Sequence, residues 1–405
     1  MRPLRLAARI AVLLVVLALE ACAMVGVKHV RSTDAVAERR ADVVDSGRVS
    51  DSTVQSLNVE ALTVDGCHED FPACRATLAH SSGLDDEQRL SALAELWVAR
   101  ALALDRRRPR TAAAGPAAAD AAGAADAALD AWLEAARHAY AYLFHTRRAP
   151  TERAFELRQS QVLGFYNLAA EHIVERLFNA LPLADPGWSS ATLAGWTVHR
   201  PQSDVRLAGG ARLPEELLPA GALRFKGVRN IYRRDGFGSD FVAIAAPPAE
   251  GGVPWREPRY VASTSVVEFP GATLEQVLAT REVRLLARDP YRDDHIAIAG
   301  RSVPLGANFT APYAVWLARS GFAGQSIRSL LGREGGIQES RVLLMQPFDP
   351  DRLVVVMLHG LASSPEAWIN VGNEVLGDDA LRRNYQVWEV YYPTNLPLAV
   401  NLANI

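Results

Sequence analysis

The sequence is nearly without lysine: Lys28 and Lys226 are the only two among 43 basic residues, and they stand far apart. No long basic run with interleaved aromatics occurs and the net charge is −3, so the electrostatic footprint of a nucleic-acid binder is missing. Arg106-Arg107-Arg108 beside Pro109 reads instead as the polar end of a helix entering a linker. Cysteine is scarce too, three in 405 residues, which excludes a small disulfide-framework protein. A chain of this length with 49% apolar residues can bury ordinary hydrophobic cores. The apolar run Ile10 to Leu19, closed by Glu20, falls short of the ~20 residues that a membrane span needs.

What is present begins at that run. MRPLRLAARIAVLLVVLALEAC has three Arg, the apolar run, then Leu19-Glu20-Ala21-Cys22. It resembles a bacterial lipoprotein signal with its lipobox: the basic segment stays on the cytoplasmic side, the apolar run enters the translocon, and small Ala21 fits the peptidase ahead of Cys22. The resemblance implies a signal peptide over 1–21 and lipidation of Cys22. Ala23 is not the Asp of an inner-membrane retention signal, so the expected location is the outer membrane, facing the periplasm. Plain secretion and a retained helix stay open as alternatives. An oxidising compartment would let Cys67 and Cys74 of DGCHEDFPACR pair as a disulfide. Free thiols, or a metal site using His68, Glu69 and Asp70, are the other readings; neither a metal nor a cofactor is expected.

Residues 22–84 read as a tether and lead-in, and 85–190 as a helical region. In the latter, Leu90, Leu93, Trp97 and Ala101 share one face of a helix predicted over 85–104. Leu129, Leu133, Ala136, Tyr140 and Leu143 mark a second helix, and Val162, Tyr166, Ala169, Ile173 and Leu177 a third. Between them, 106–128 is Ala-rich with Pro109, Gly115 and Pro116, and reads as an insertion. Residues 191–335 change to short β-type runs between Gly and Pro, such as Phe241 to Ile244 and Tyr260 to Phe269, and predict a small, mainly β region.

From 336 the texture changes again. Arg341 to Gln346 is a strand candidate, Leu353 to Leu358 has the pattern of a buried α/β strand, Ser363 or Ser364 can cap a helix reaching about Leu376, and Tyr385 to Tyr392 is the next strand. PFDPDRLVVVMLHGLASSPEAW followed by NYQVWEVYYPTNLP resembles a group of bacterial lipid-anchored α/β hydrolases, in which a strand runs into HGL-x-SSP and the next ends in Tyr-Pro-Thr. ARHAYAYLF, GFYNLA and TAPYAVWLA are similar to upstream parts of the same group, more weakly.

The resemblance implies an α/β hydrolase fold, represented by its first strands only, over 336–405. It also implies serine ester or acyl hydrolysis, with Gly360 and Leu361 in the oxyanion hole and His359 orienting their loop. The glycine lets backbone pass close beneath a substrate, so that the Leu361 N–H can face a developing oxyanion. No G-x-S-x-G elbow occurs, and the other eight His precede His359, against the order Ser, acid, His. The expectation is therefore the N-terminal portion of an envelope hydrolase, without nucleophile, acid or triad His and inactive as it stands. The second reading is a non-catalytic periplasmic lipoprotein that binds a protein or peptide partner through its helical and β regions. Membrane association through the anchor is expected in both readings, and nucleic acid in neither.

Overall fold

The computed structural model describes residues 25–30, 44, 48–107, 116–185, 187–247, 255–322, 340–360, 363–393 and 396–404. After a short strand, β1 (Gly26–His29), come six helices: α1 (Asp51–Val59), α2 (Val64–Glu69), α3 (Phe71–Ala79), α4 (Asp86–Arg107), α5 (Pro116–Phe144) and α6 (Leu157–Ala180). Their starts follow side-chain chemistry. Ser50, Thr63 and Asp70 each accept a backbone N–H from the first turn of the helix that follows. Asp85 and Gln88 exchange side-chain bonds with each other's backbone N–H, at 2.8 and 3.1 Å, ahead of α4.

Cys67 and Cys74 form a disulfide with a Cα–Cα distance of 5.1 Å, joining α2 to α3. Residues 116–128, expected within an insertion, form the first half of α5. Pro116 stands at its first residue, where the missing N–H has no partner to lose, and alanine is the strongest helix former. The faces expected of α4, α5 and α6 are all buried and pack together. Tyr166 on α6 stacks on Phe237 at 4.1 Å, and its hydroxyl donates to Val267 O at 2.6 Å while accepting from Val267 N at 2.9 Å. One side chain thus ties the helices to the β region.

The β region holds β2 (Ser190–Leu193), β3 (Trp196–His199), β4 (Gln202–Ser203), β5 (Glu216–Pro219), β6 (Leu223–Lys226), β7 (Arg233–Arg234), β8 (Ser239–Ile244), β9 (Trp255–Arg256), β10 (Tyr260–Glu268), β11 (Glu282–Arg288), β12 (His295–Ile298), β13 (Arg301–Pro304) and β14 (Ala307–Asn308), with helix α7 (Leu274–Ala279) after β10. Seven of these strands make one curled, mixed half-barrel sheet of order β2-β3-β11-β10-β8-β5, with β4 beside β11. β1 pairs with β6, β12 with β13, and β7 with β14. α6 lies across β5, β8 and β10. Gly236 precedes β8 where a Cβ would stand 2.5 Å from Gly306 N, so only glycine lets these two loops cross.

Then come α8 (Thr310–Ser320), β15 (Arg341–Leu344), β16 (Leu353–Leu358), α9 (Ile369–Gly377), α10 (Asp379–Asn384), β17 (Tyr385–Tyr391) and α11 (Leu398–Asn404). The expected start of an α/β hydrolase domain is not what they build. The last sheet is ordered β16-β17-β15-β9; β16 runs parallel to β17, but β15 runs antiparallel to it, and β9 is lent by the preceding β region. The chain is mixed α/β, helical first and then the half-barrel and small sheets, and no parallel hydrolase sheet is present among the described residues. The helical crossover between β16 and β17 makes that pair parallel, whereas the short turn from β15 to β16 supplies no such crossover. An apolar run announces a strand and is silent about the direction of its neighbours.

The run also misled as to depth. β16 pairs with β17 along all six residues and has no partner on its other edge among the described residues. Leu353 and Val356 are 65% and 54% exposed, and Val354 and Leu358 are exposed as well. An open edge without charge, Pro or Gly is a template for unwanted pairing. The outward amides of β16 are expected to exchange with deuterium far faster than the amides at the centres of α5 and α6; equal protection would show that this edge is covered in solution.

Candidate functional site

The parallel register sets Leu358 opposite Val390, so the residues that follow β16 and β17 emerge side by side. His359 leaves β16 2% exposed, with its ring stacked on Tyr392 at 4.5 Å. Tyr392 N–H donates to His359 Nε2 at 3.4 Å, and Nδ1 faces Gly360 O at 3.3 Å, which places the ring proton on Nδ1. The Tyr392 hydroxyl in turn donates to His359 O. Burial holds the imidazole pKa below its ordinary value, so the ring is neutral at pH 7. A neutral ring bonded to backbone through both nitrogens orients a loop, and has no nitrogen left to take a proton from a nucleophile.

Gly360 is exposed beside this ring, while Leu361, the expected oxyanion donor, lies outside the described residues. Cys22, the expected lipidation site, lies outside them too. Ser364 takes the N-cap position of the short turn Pro365–Trp368 without a side-chain cap bond, and the Ser363 N–H bonds Gly360 O at 3.3 Å. His68 and Glu69 are exposed in the Cys67–Cys74 loop and Asp70 is spent capping α3, so no ligand set converges there. Among the described residues no three His, Cys, Asp or Glu side chains gather as a metal site would require.

Beneath the strand ends lies a group that the sequence did not announce. Glu389 on β17 is fully buried; its register partners are Met357 on β16 and Leu343 on β15, and Val387 and Tyr391 share its face. Its Oε1 accepts a bond from the Tyr313 hydroxyl on α8, and Oε2 has no hydrogen-bond partner. Burial pushes the carboxyl pKa up to about 8, opposed only by the Tyr313 bond, so at pH 7 the acid is mostly protonated. Alternation along β17 could have flagged Glu389 as inward-facing; its tyrosine, 76 residues earlier in the chain, could not have been read off. Α8 is further held to α9 through Thr310 and Asn373, with 2.7 Å between Oγ1 and Oδ1.

No known protein family, no curated protein and no solved structure matches this chain. No helix among the described residues is long and apolar enough to cross a membrane.

Proposed function

We propose that this chain is a lipid-anchored protein of the cell envelope that binds its ligand or partner through the helical and β regions and does not itself turn over an ester. The observation that carries the reading is the state of His359: neutral, buried, and bonded to backbone on both ring nitrogens. The lipobox resemblance at Cys22 supplies the anchor. The tight seam between α6 and the half-barrel, fastened by Tyr166, supplies a rigid binding body.

A second reading, acyl-ester hydrolysis with Gly360 beside the reacting carbonyl, draws on the HGL motif and on the side-by-side emergence of His359 and Tyr392. Purified chain offered a short-chain p-nitrophenyl ester decides between them. The expected outcome is turnover equal to the buffer rate and unchanged by a serine-directed fluorophosphonate. Fluorophosphonate-sensitive turnover would establish the hydrolase reading instead.

A further inference from the structure

The strands under α6 carry unusually small side chains at one place. Ala243 on β8, Ser263 and Ser265 on β10 and Ala287 on β11 all face the second half of α6, and their registers make them neighbours: Ser265 lies opposite Ala287, and Ala243 lies opposite Val261, two residues from Ser263. Interiors are normally filled to crystal-like density, so four small residues in one patch leave room that Leu or Val would have occupied. The room is there. An apolar slot of about 90 Å³ runs between this patch and Val174, Leu177 and Phe178 of α6 with Leu181 just beyond it.

The slot does not end blindly. Pro201, Ser203, Val205, Leu207, Arg212 and Leu213 line both it and a wider vestibule of about 850 Å³. Three arginines reach the vestibule. Arg200 is bonded to the carbonyls of Asp185 and Trp188, and Arg206 reaches Phe348 O at 3.4 Å. Arg212 is exposed and makes no hydrogen bond or ion pair among the described residues. Among the described residues the one carboxylate lining the vestibule, Glu257, accepts the Gly209 N–H at 2.8 Å. A narrow apolar slot therefore opens beside a cation that has no counter-ion among the described residues.

We propose that this slot binds an amphiphile with a single hydrocarbon chain and a carboxylate head, a medium-chain fatty acid, with the chain end between α6 and the half-barrel and the carboxylate on Arg212. The apolar walls supply affinity through removal of the chain from water, and the planar guanidinium fits a carboxylate with two parallel hydrogen bonds. The slot's volume selects a chain end and excludes a ring system or a pair of full-length acyl chains. This names a ligand class for the binding reading above and rests on it; the two fail separately, since fluorophosphonate-sensitive turnover would remove that reading without touching the slot.

The test is titration of the full chain with decanoate, with decanol and with decyl phosphate, each below its self-association concentration, followed by calorimetry and thermal shift. Decanoate is expected to bind and to raise Tm. Ala287→Leu, which fills the slot, should weaken decanoate and decanol alike by tenfold or more, whereas Arg212→Gln should weaken decanoate by about tenfold and leave decanol unchanged. If Ala287→Leu does not fold, as judged by its circular dichroism, the contrast between decanoate and decanol in Arg212→Gln decides alone. Absence of decanoate binding, binding indifferent to both variants, or tighter binding of decyl phosphate than of decanoate would overturn the proposal.

Discussion

Replacing Glu95 by Ala is expected to destabilise the helical region by about 3–5 kcal/mol, because it leaves a buried network without its acceptor. Glu95, on α4, is fully buried. Its Oε1 accepts Ser50 N–H at 2.7 Å, and its Oε2 accepts the Ser50 hydroxyl at 2.7 Å, the Thr53 hydroxyl at 2.6 Å and Arg158 Nη1 at 2.7 Å. Arg158 also donates to both hydroxyls. One carboxylate therefore holds together the cap of α1, the middle of α4 and the first turn of α6.

Removing it strands a guanidinium that is only 14% exposed, together with two hydroxyls and a backbone amide. Each buried polar group left unpaired costs about 1–3 kcal/mol. Glu95→Gln keeps the shape and loses the charge, so it should cost roughly half as much. Urea unfolding followed by far-ultraviolet circular dichroism measures both. A loss below about 1 kcal/mol for Ala would mean that water reaches and satisfies Arg158.

Glu389→Gln is expected to act in the opposite direction and to depend on pH. The native carboxyl titrates near 8 and the unfolded one near 4.5. Between these values the native state holds a proton that the unfolded state has given up, so the stability contributed by this group falls as pH rises from about 4.5 and levels off above about 8. Gln is of similar size and does not titrate. The variant should therefore match the parent near pH 4 and exceed it by several kcal/mol at pH 9, where the parent carries an ionised group without a counter-charge in an apolar layer. Thermal unfolding at pH 4, 7 and 9 reads this directly. A difference that does not change with pH would show that Glu389 is ionised in the native protein.

Much of the helical region is legible in the amino-acid sequence. Leu90, Trp97, Leu133, Tyr140, Val162 and Ile173 repeat at helical spacing because helices bury one stripe, and every one of them is buried. The strands from Phe241, Tyr260 and Leu353 were also legible, since β-branched runs between turn residues have few other uses. The partners of those strands were not. Whether β15 lies parallel or antiparallel to β17 depends on how the chain returns between them, and that return is decided by packing against α8 and α9.

The same division runs through the candidate site. His359 and Gly360 could be named because a strand ending in His-Gly is a local pattern. The contacts of His359 come from 33 residues further on, where Tyr392 bonds its ring and its carbonyl. Glu389 as a neutral acid, and Arg212 beside an apolar slot, arise from side chains distant in sequence meeting in space. The amino-acid order determined which segments are helix and strand, since propensity and periodicity are properties of neighbours. Tertiary structure alone decided sheet direction, the protonation of buried groups and the position of the cavity, because each depends on which surfaces are removed from water together.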